Sequence, residues 1–378
     1  MSEPHTSNPI WVDEQSLFNA MIVDLSRQSR IAVDTESNSL YAYREQVCLI
    51  QFSSENIDYL VDPLTNLDLS ALKKIFADSK IEKIFHAAEY DLICLKRDFG
   101  FSFVNIFDTM IAGRILGYRS VGLASMLETI FQIEINKKYQ RANWGRRPLP
   151  EEMIQYACQD THNLIPLRNK LKKLLEKSHR TALANEDFIR LCGIEYQSKE
   201  RNGTCWRVVG NREMNPQQLS VLQSLCDYRE LMASKQDTPP FKILSNRVLV
   251  NIALASPDNE AGLWRVEGLS AKNIHTHGSG LLKAIQSGLN GEPPQRQNHK
   301  PKPNDHFIDR LDILKNWRKT TGQKKSVPSD IVLPRDIMEL IAKSNPRNLL
   351  DLEKVMQTTP YRFDQYGKEI LEVINTRR

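Results

Sequence analysis

Long apolar runs are missing from this chain. No stretch approaches the roughly 20 consecutive apolar residues of a membrane-spanning helix. The opening segment, "MSEPHTSNPIWVDEQ", has neither a basic start nor an apolar core, so nothing in it points to export. Cysteine is scarce and scattered, at positions 48, 94, 158, 192, 205 and 226, with no C-x-x-C pair and no His/Cys cluster. That argues against a zinc site or a disulfide framework and fits reduced thiols in the cytoplasm. What remains is a soluble globular composition, 40% hydrophobic and 26% charged, over 378 residues, enough for two or three domains.

A strong excess of one charge is also missing overall, since the net charge is only +5. It is unevenly placed. Residues 201–378 carry 27 Lys+Arg against 19 Asp+Glu (+8), and residues 1–200 carry 24 against 27 (−3). A basic half beside an acidic half is the pattern expected if one part meets a polyanion while the other handles cations or chemistry.

The first half reads as strands followed by helices. "IAVDTE", "VCLIQFS" and "IDYLVDP" predict a meander; "IEKIFHAA" predicts a strand feeding a helix from near Glu89; "FVNIFDT" predicts a further strand. Residues 109–132 show helical spacing. The segment 149–176 predicts one helix, with an acidic first turn after Pro150 and a bend at Pro166. Together these give a mixed-sheet α/β domain over about 1–200.

The second half repeats itself. A shift of 89 residues superposes Leu225 on Leu314, Arg229 on Arg318, Ala253 on Ala342 and Pro257 on Pro346. It also superposes Leu263 on Leu352, Val266 on Val355, Gly278 on Gly367 and Ile285 on Ile374. Eight identities on one ungapped offset indicate duplication. The expected units are two small all-α domains, 212–289 and 305–378, joined by the Pro-rich linker 290–304.

Within the α/β domain, "IAVDTES" ends an apolar strand in Asp34 and Glu36. Side chains two apart on a strand point the same way, so two carboxylates share one spot and repel unless a proton or cation lies between them. Asp91 follows at a strand-to-helix junction, and Tyr156 and Asp160 lie four apart on one helix face. Four acids are a hard-oxygen set suited to Mg²⁺ or Mn²⁺, and two such ions could clamp the oxygens of a phosphoryl displacement. Asp62, Asp108 and His86 are expected to be structural. The basic stretch Lys137, Lys138, Arg141, Arg146 and Arg147 could steer a phosphate backbone towards the acids, or could be a solvated loop.

The order Asp34-x-Glu36, then His86-x-Ala88-x-x-Asp91, then Tyr156-x-x-x-Asp160 resembles the DEDD superfamily of 3′→5′ exonucleases, in its tyrosine subtype. "VCLIQFS" and "WGRRPLPEEMIQYACQD" are similar to the ribonuclease D family, and both repeats resemble HRDC domains, notably in "DYRELMASKQDTPPFKILSN" and "VEGLSAKNIHTHG". The chain departs from the ribonuclease D pattern at Ser37, where Phe is common, and at Asn143, where an acid precedes the Trp; neither is a motif ligand.

The resemblance implies a ribonuclease H-like sheet domain followed by two HRDC-like domains. The implied activity is metal-dependent 3′→5′ exoribonuclease, releasing nucleoside 5′-monophosphates from precursor tRNA and other small structured RNAs. It implies two metal ions: Asp34 bridging them, Glu36 and Asp160 on the ion that activates water, Asp91 on the second, and Tyr156 orienting the water. No membrane and no obligate protein partner are implied. RNA contacts in the repeats would fall on surface residues such as Lys272, Lys324 and Lys325, with Arg229 and Arg318 stabilising the fold. Two other readings share many of these features: a DNA exonuclease of the same superfamily, and a non-catalytic nucleic-acid adaptor. All four acids and the tyrosine are present, which speaks against the adaptor.

Overall fold

A computed structural model describes residues 8–136, 138–196, 204–210, 212–294 and 304–375. The chain divides into two compact units, one of Met1–Ser37, Val47–Tyr196 and Pro303–Arg378, the other of Asn38–Gln46 and Gln197–Lys302.

The first unit is built on a six-stranded mixed sheet: β1 (Ile10–Val12), β2 (Arg30–Ser37), β3 (Val47–Ser53), β4 (Asp58–Val61), β5 (Glu82–Phe85) and β6 (Ile106–Asp108), in the order β1-β4-β3-β2-β5-β6. The meander β2-β3-β4 is antiparallel and the other pairings are parallel. Among the described residues eight α-helices accompany the sheet: α1 (Gln15–Leu25), α2 (Leu72–Ala77), α3 (Glu89–Phe99), α4 (Thr109–Leu116), α5 (Leu123–Phe131), α6 (Glu151–His162), α7 (Leu164–Lys177) and α8 (Thr181–Cys192). Alternation along β2 sets the layers. Ile31 and Val33 pack with Phe18 of α1, Phe76 of α2 and Leu95 of α3, whereas Ala32 packs with Ile115 of α4, Leu171 of α7 and Phe188 of α8.

The expected single helix over 149–176 is two helices, broken at Asn163. The bend lies three residues before Pro166 because a proline removes the hydrogen bond to the carbonyl four residues back, here that of His162, and its ring crowds that carbonyl. Pro166 then sits in the first turn of α7, where its missing N–H costs nothing.

The two repeats are helical. In the second unit, α9 (Thr204–Val209), α10 (Pro216–Lys235), α11 (Pro240–Ile243), α12 (Asn246–Ala255), α13 (Glu260–Leu263) and α14 (Ala271–Leu289) enclose a core that includes Leu225, Leu249 and Leu281. The β2–β3 connection Asn38–Gln46 belongs to this unit: the Tyr43 amide donates to Asp237 (3.1 Å), and Lys242 Nζ lies 4.1 Å from the Tyr41 ring centre. In the first unit, α15 (Asp305–Lys325), α16 (Ser329–Val332), α17 (Arg335–Ser344), α18 (Leu349–Val355) and α19 (Pro360–Asn375) form the other copy.

The 89-residue offset survives at atomic detail. Arg229 donates to the carbonyl of Leu244 and Arg318 to that of Leu333. Ser256 and Asn345 both end a helix in the left-handed conformation (φ 41° and 48°), and Asn259 and Asn348 both cap the next one.

Candidate active site

β2 delivers Asp34 and Glu36 to one side of the sheet. In the antiparallel pair Asp34 faces Gln51 and Glu36 faces Leu49, so these four side chains share a face, and Thr35 with its partner Ile50 lies on the other. The register slips between Glu36 and Ser37, a bulge that ends regular pairing beside the two acids. Helix α6 closes over this face. Ser53 donates to Thr161 at 2.7 Å, and Tyr156 and Ala157 pack with Cys48, Leu49 and Leu60. Asp160, one turn on from Tyr156, thereby meets the β2 acids: carboxylate oxygens of Asp34, Glu36 and Asp160 all lie within 4.8 Å of one another.

Asp91 joins from the opposite side of the strand. Its helix α3 begins after Ala87, a non-glycine residue at φ 63°. The strained entry is held by Asp108, whose carboxylate accepts from the amides of Ala87 (3.3 Å), Ala88 (2.7 Å) and Ile111 (2.9 Å). The Thr35 hydroxyl donates to Asp91 at 2.5 Å. Asp91 is thus outside the three-acid cluster, tied to the middle residue of the D-x-E strand, yet near enough for its charge to act on Asp34.

Burial is the first cause of every shift at this site. It pushes Asp34 and Glu36 well above the ordinary carboxylate range, and the neighbouring acids push in the same direction. Burial carries Asp91 and Asp160 up to about 7, against opposing hydrogen bonds from Thr35 and Tyr156 respectively. The Tyr156 phenol is also pushed up, first by burial and then by the charges of Asp160, Glu36 and Asp34, so it is neutral throughout the physiological range. Among the described residues none of the four acids forms an ion pair with Lys or Arg. A half-buried, oxygen-only cluster without a counter-charge suits a hard divalent cation.

The remaining expected residues fall apart from this group. Asp62, Asp108 and His86 are structural: Asp62 holds Arg147, and His86 Nδ1 lies 2.9 Å from the Thr109 hydroxyl, its imidazole pushed by burial down to about 4. Arg147, expected as a backbone-steering cation, is not available for that role. All five of its N–H donors are committed, to both Asp62 oxygens and to the carbonyls of Trp144, Arg146 and Cys48. Lys138, Arg141 and Arg146 are exposed, and Lys137 lies outside the described residues. Their segment reaches the site through aromatics that the sequence reading did not single out: Tyr139 meets the Tyr156 ring edge-on at 5.9 Å, and Trp144 lies 6.0 Å from it. Thr35 and Gln51 were also missed, because nothing local in the sequence marks them. Lys272, Lys324 and Lys325 are exposed, but the Lys325 carbonyl accepts from Arg180 and its ammonium lies over the Tyr366 ring.

Sheet, helix α6 and carboxylate cluster together define a 3′–5′ exonuclease domain. Residues 9–176 match the family model described as 3′-5′ exonuclease, and residues 218–285 and 308–374 each match the HRDC domain. The chain is a ribonuclease D-like protein, an exonuclease domain followed by two HRDC domains. Ribonuclease D of Zymomonas mobilis is 28% identical, across 97% of this chain and 94% of that protein. The exosome complex exonuclease RRP6 of Saccharomyces cerevisiae is 30% identical, across 75% of this chain and 41% of that protein. The chain spans between 30% and 41% of the length of the first curated relatives it matches. The crystal structure of Escherichia coli RNase D shares the fold, with a TM-score of 0.69 at 23% identity over 98% of this chain and 100% of that one. Exonucleases of this family depend on divalent metal, in keeping with the cluster. No described helix is long and apolar enough to cross a membrane.

Proposed function

We propose that this protein is a 3′→5′ exoribonuclease that hydrolyses RNA from the 3′ end to nucleoside 5′-monophosphates, trimming precursor tRNA and other small structured RNAs. One observation carries the reading: Asp34, Glu36 and Asp160 converge within 4.8 Å with no counter-cation among the described residues, on the residues of the ordered exonuclease motifs. The RNA substrate is supported by the relatives named ribonuclease D. Cytoplasmic location is supported by six free cysteines. The proposed organisation is a catalytic domain over 1–200, HRDC-like domains over 212–289 and 305–378, and a linker between them.

Asp34, Glu36, Asp91 and Asp160 would hold two ions, Mg²⁺ or Mn²⁺. When bound, the cations supply positive charge to the phosphodiester oxygens and acidify water. The chain's own residues do the rest. Tyr156, neutral because burial and three carboxylates oppose its ionisation, is no general base; its O–H is donated to Asp160, and its phenol oxygen accepts a hydrogen bond that orients the attacking water. Thr35 holds Asp91 in line with the D-x-E strand. The packing of Tyr139 and Trp144 on Tyr156 fixes the ring.

The test compares 3′-extended tRNA, single-stranded RNA and matched DNA, each with Mg²⁺ or Mn²⁺, for the wild type and Asp34→Ala. Stepwise 3′ shortening of RNA is expected, abolished in the variant and by chelator. Preference for DNA would replace the substrate. RNA binding without cleavage under either metal would overturn the enzymatic reading.

A further inference from the structure

Gln51 sits in β3, fully buried, and neither its carboxamide oxygen nor its nitrogen has a hydrogen-bond partner. It is the one side chain among the described residues whose donor and acceptor are both buried and unpaired. An amide stranded in this way costs stability, and an apolar side chain of similar size would fill the space without that cost. The fold alone gives no reason for a glutamine here.

Its position does. Gln51 is the cross-strand partner of Asp34. Directly opposed residues of an antiparallel pair have Cβ atoms about 4.5–5.5 Å apart on the same face, well within reach of a glutamine side chain. Its neighbours two residues away on β3 point the same way, and both have explained roles. Leu49 packs against Tyr156 and Ala157, and Ser53 donates to Thr161. The carboxamide is therefore held beneath α6, on the side of the sheet that carries Asp34 and Glu36.

We propose that Gln51 is a positioning residue of the carboxylate cluster. In the metal-loaded protein its Nε2 donates to the Asp34 carboxylate and fixes the direction of that group's remaining lone pairs. The proposal rests on the reading of the cluster as a divalent-metal site. Groups that orient a ligand in this way typically change metal affinity or activity about 10–100-fold when removed.

The test is Gln51→Met in the full chain, with Gln51→Leu as a second apolar variant should methionine fail to fold. Three quantities are read: Mn²⁺ affinity by electron paramagnetic resonance, the unfolding temperature of chelated protein, and kcat and KM on a short RNA. The expected result is a metal-free protein as stable as the wild type or more so, Mn²⁺ binding weakened about 10-fold or more, and a lower kcat at little-changed KM. A merely structural glutamine would leave Mn²⁺ affinity untouched, and that result overturns the proposal. So does a wild type that binds no Mn²⁺. A wild type that binds Mn²⁺ but cleaves no RNA would sink the exoribonuclease reading alone, with the Gln51 effect on Mn²⁺ still measurable.

Discussion

Asp34, Glu36, Asp91 and Asp160 hold their protons far more tightly than free carboxyls do, and Asp91 and Asp160 reach about 7. An unfolded chain loses those protons at about pH 4. Between about pH 4 and 7 the metal-free folded state therefore binds more protons than the unfolded one, and stability falls as pH rises. The unfolding temperature of chelated wild type should drop across this window relative to Asp34→Asn, which lacks one of the raised acids. The gap should close when Mg²⁺ or Mn²⁺ is restored. A gap that stays constant with pH would contradict the shifts. Cation binding must also displace those protons, so apparent Mn²⁺ affinity should tighten from about pH 6 to 8, with proton release detectable in weak buffer. The same residues show what was legible in the sequence. Asp34, Glu36, Tyr156 and Asp160 were readable because their spacing is local, two along a strand and four along a helix. Thr35 bonds a residue 56 positions away, and Arg147 finds Asp62 across 85 positions. A pattern of charges along the chain cannot show such partners, which is why Arg147 stood among the candidate steering cations and Thr35 went unnoticed.

Elements reach the site with the right aim only because other elements fix where they begin. Helix α3 starts from a strained alanine, and Asp108, at the end of β6, secures that start and the start of α4 with one carboxylate. Asp108→Ala removes an N-cap and leaves two further amides without an acceptor, a loss of roughly 2–4 kcal/mol on the usual values for caps and buried unpaired groups. Urea unfolding midpoints should report that loss. Because Asp91 lies in the first turn of α3, the variant should also bind Mn²⁺ more weakly. Unchanged binding would mean that Thr35 alone holds Asp91. The strands of the meander and the start of α3 were legible because β-rich runs and turn residues mark them locally. The Asn163 break was not placed correctly, because proline acts on the carbonyl four residues back and not at its own position.

At the scale of the whole molecule, duplication supplied two similar helical copies, and the differences between them decide their roles. The second copy packs on α8 within the first unit. Its Arg362, fully buried, donates to Glu186 (2.5 Å) and to both oxygens of Asp187 (2.8 and 2.9 Å), and Glu186 also accepts from the amides of Tyr361 and Arg362. Two surface pairs, Arg114–Asp330 and Arg190–Asp336, flank this anchor. The 89-residue offset places Asn273, Phe241 and Arg247 of the first copy where the second has Arg362, Asp330 and Asp336, so the first copy lacks every charged group of the anchor. Identities on one offset reveal the duplication but not this division, since the net charge of a half does not say which cation meets which acid. Arg362→Ala should strand Glu186 and Asp187 with little solvent to receive them, at a cost of about 3–5 kcal/mol. Asn273→Ala, at the equivalent position, should cost no more than about 0.5 kcal/mol. Urea unfolding, with limited proteolysis of the segment after residue 303, separates the two cases. If Arg362→Ala were as mild as Asn273→Ala, the ion cluster would be incidental to the docking of the second copy. If only Arg362→Ala released that segment to protease, one buried arginine would account for the second copy's place beside the exonuclease sheet.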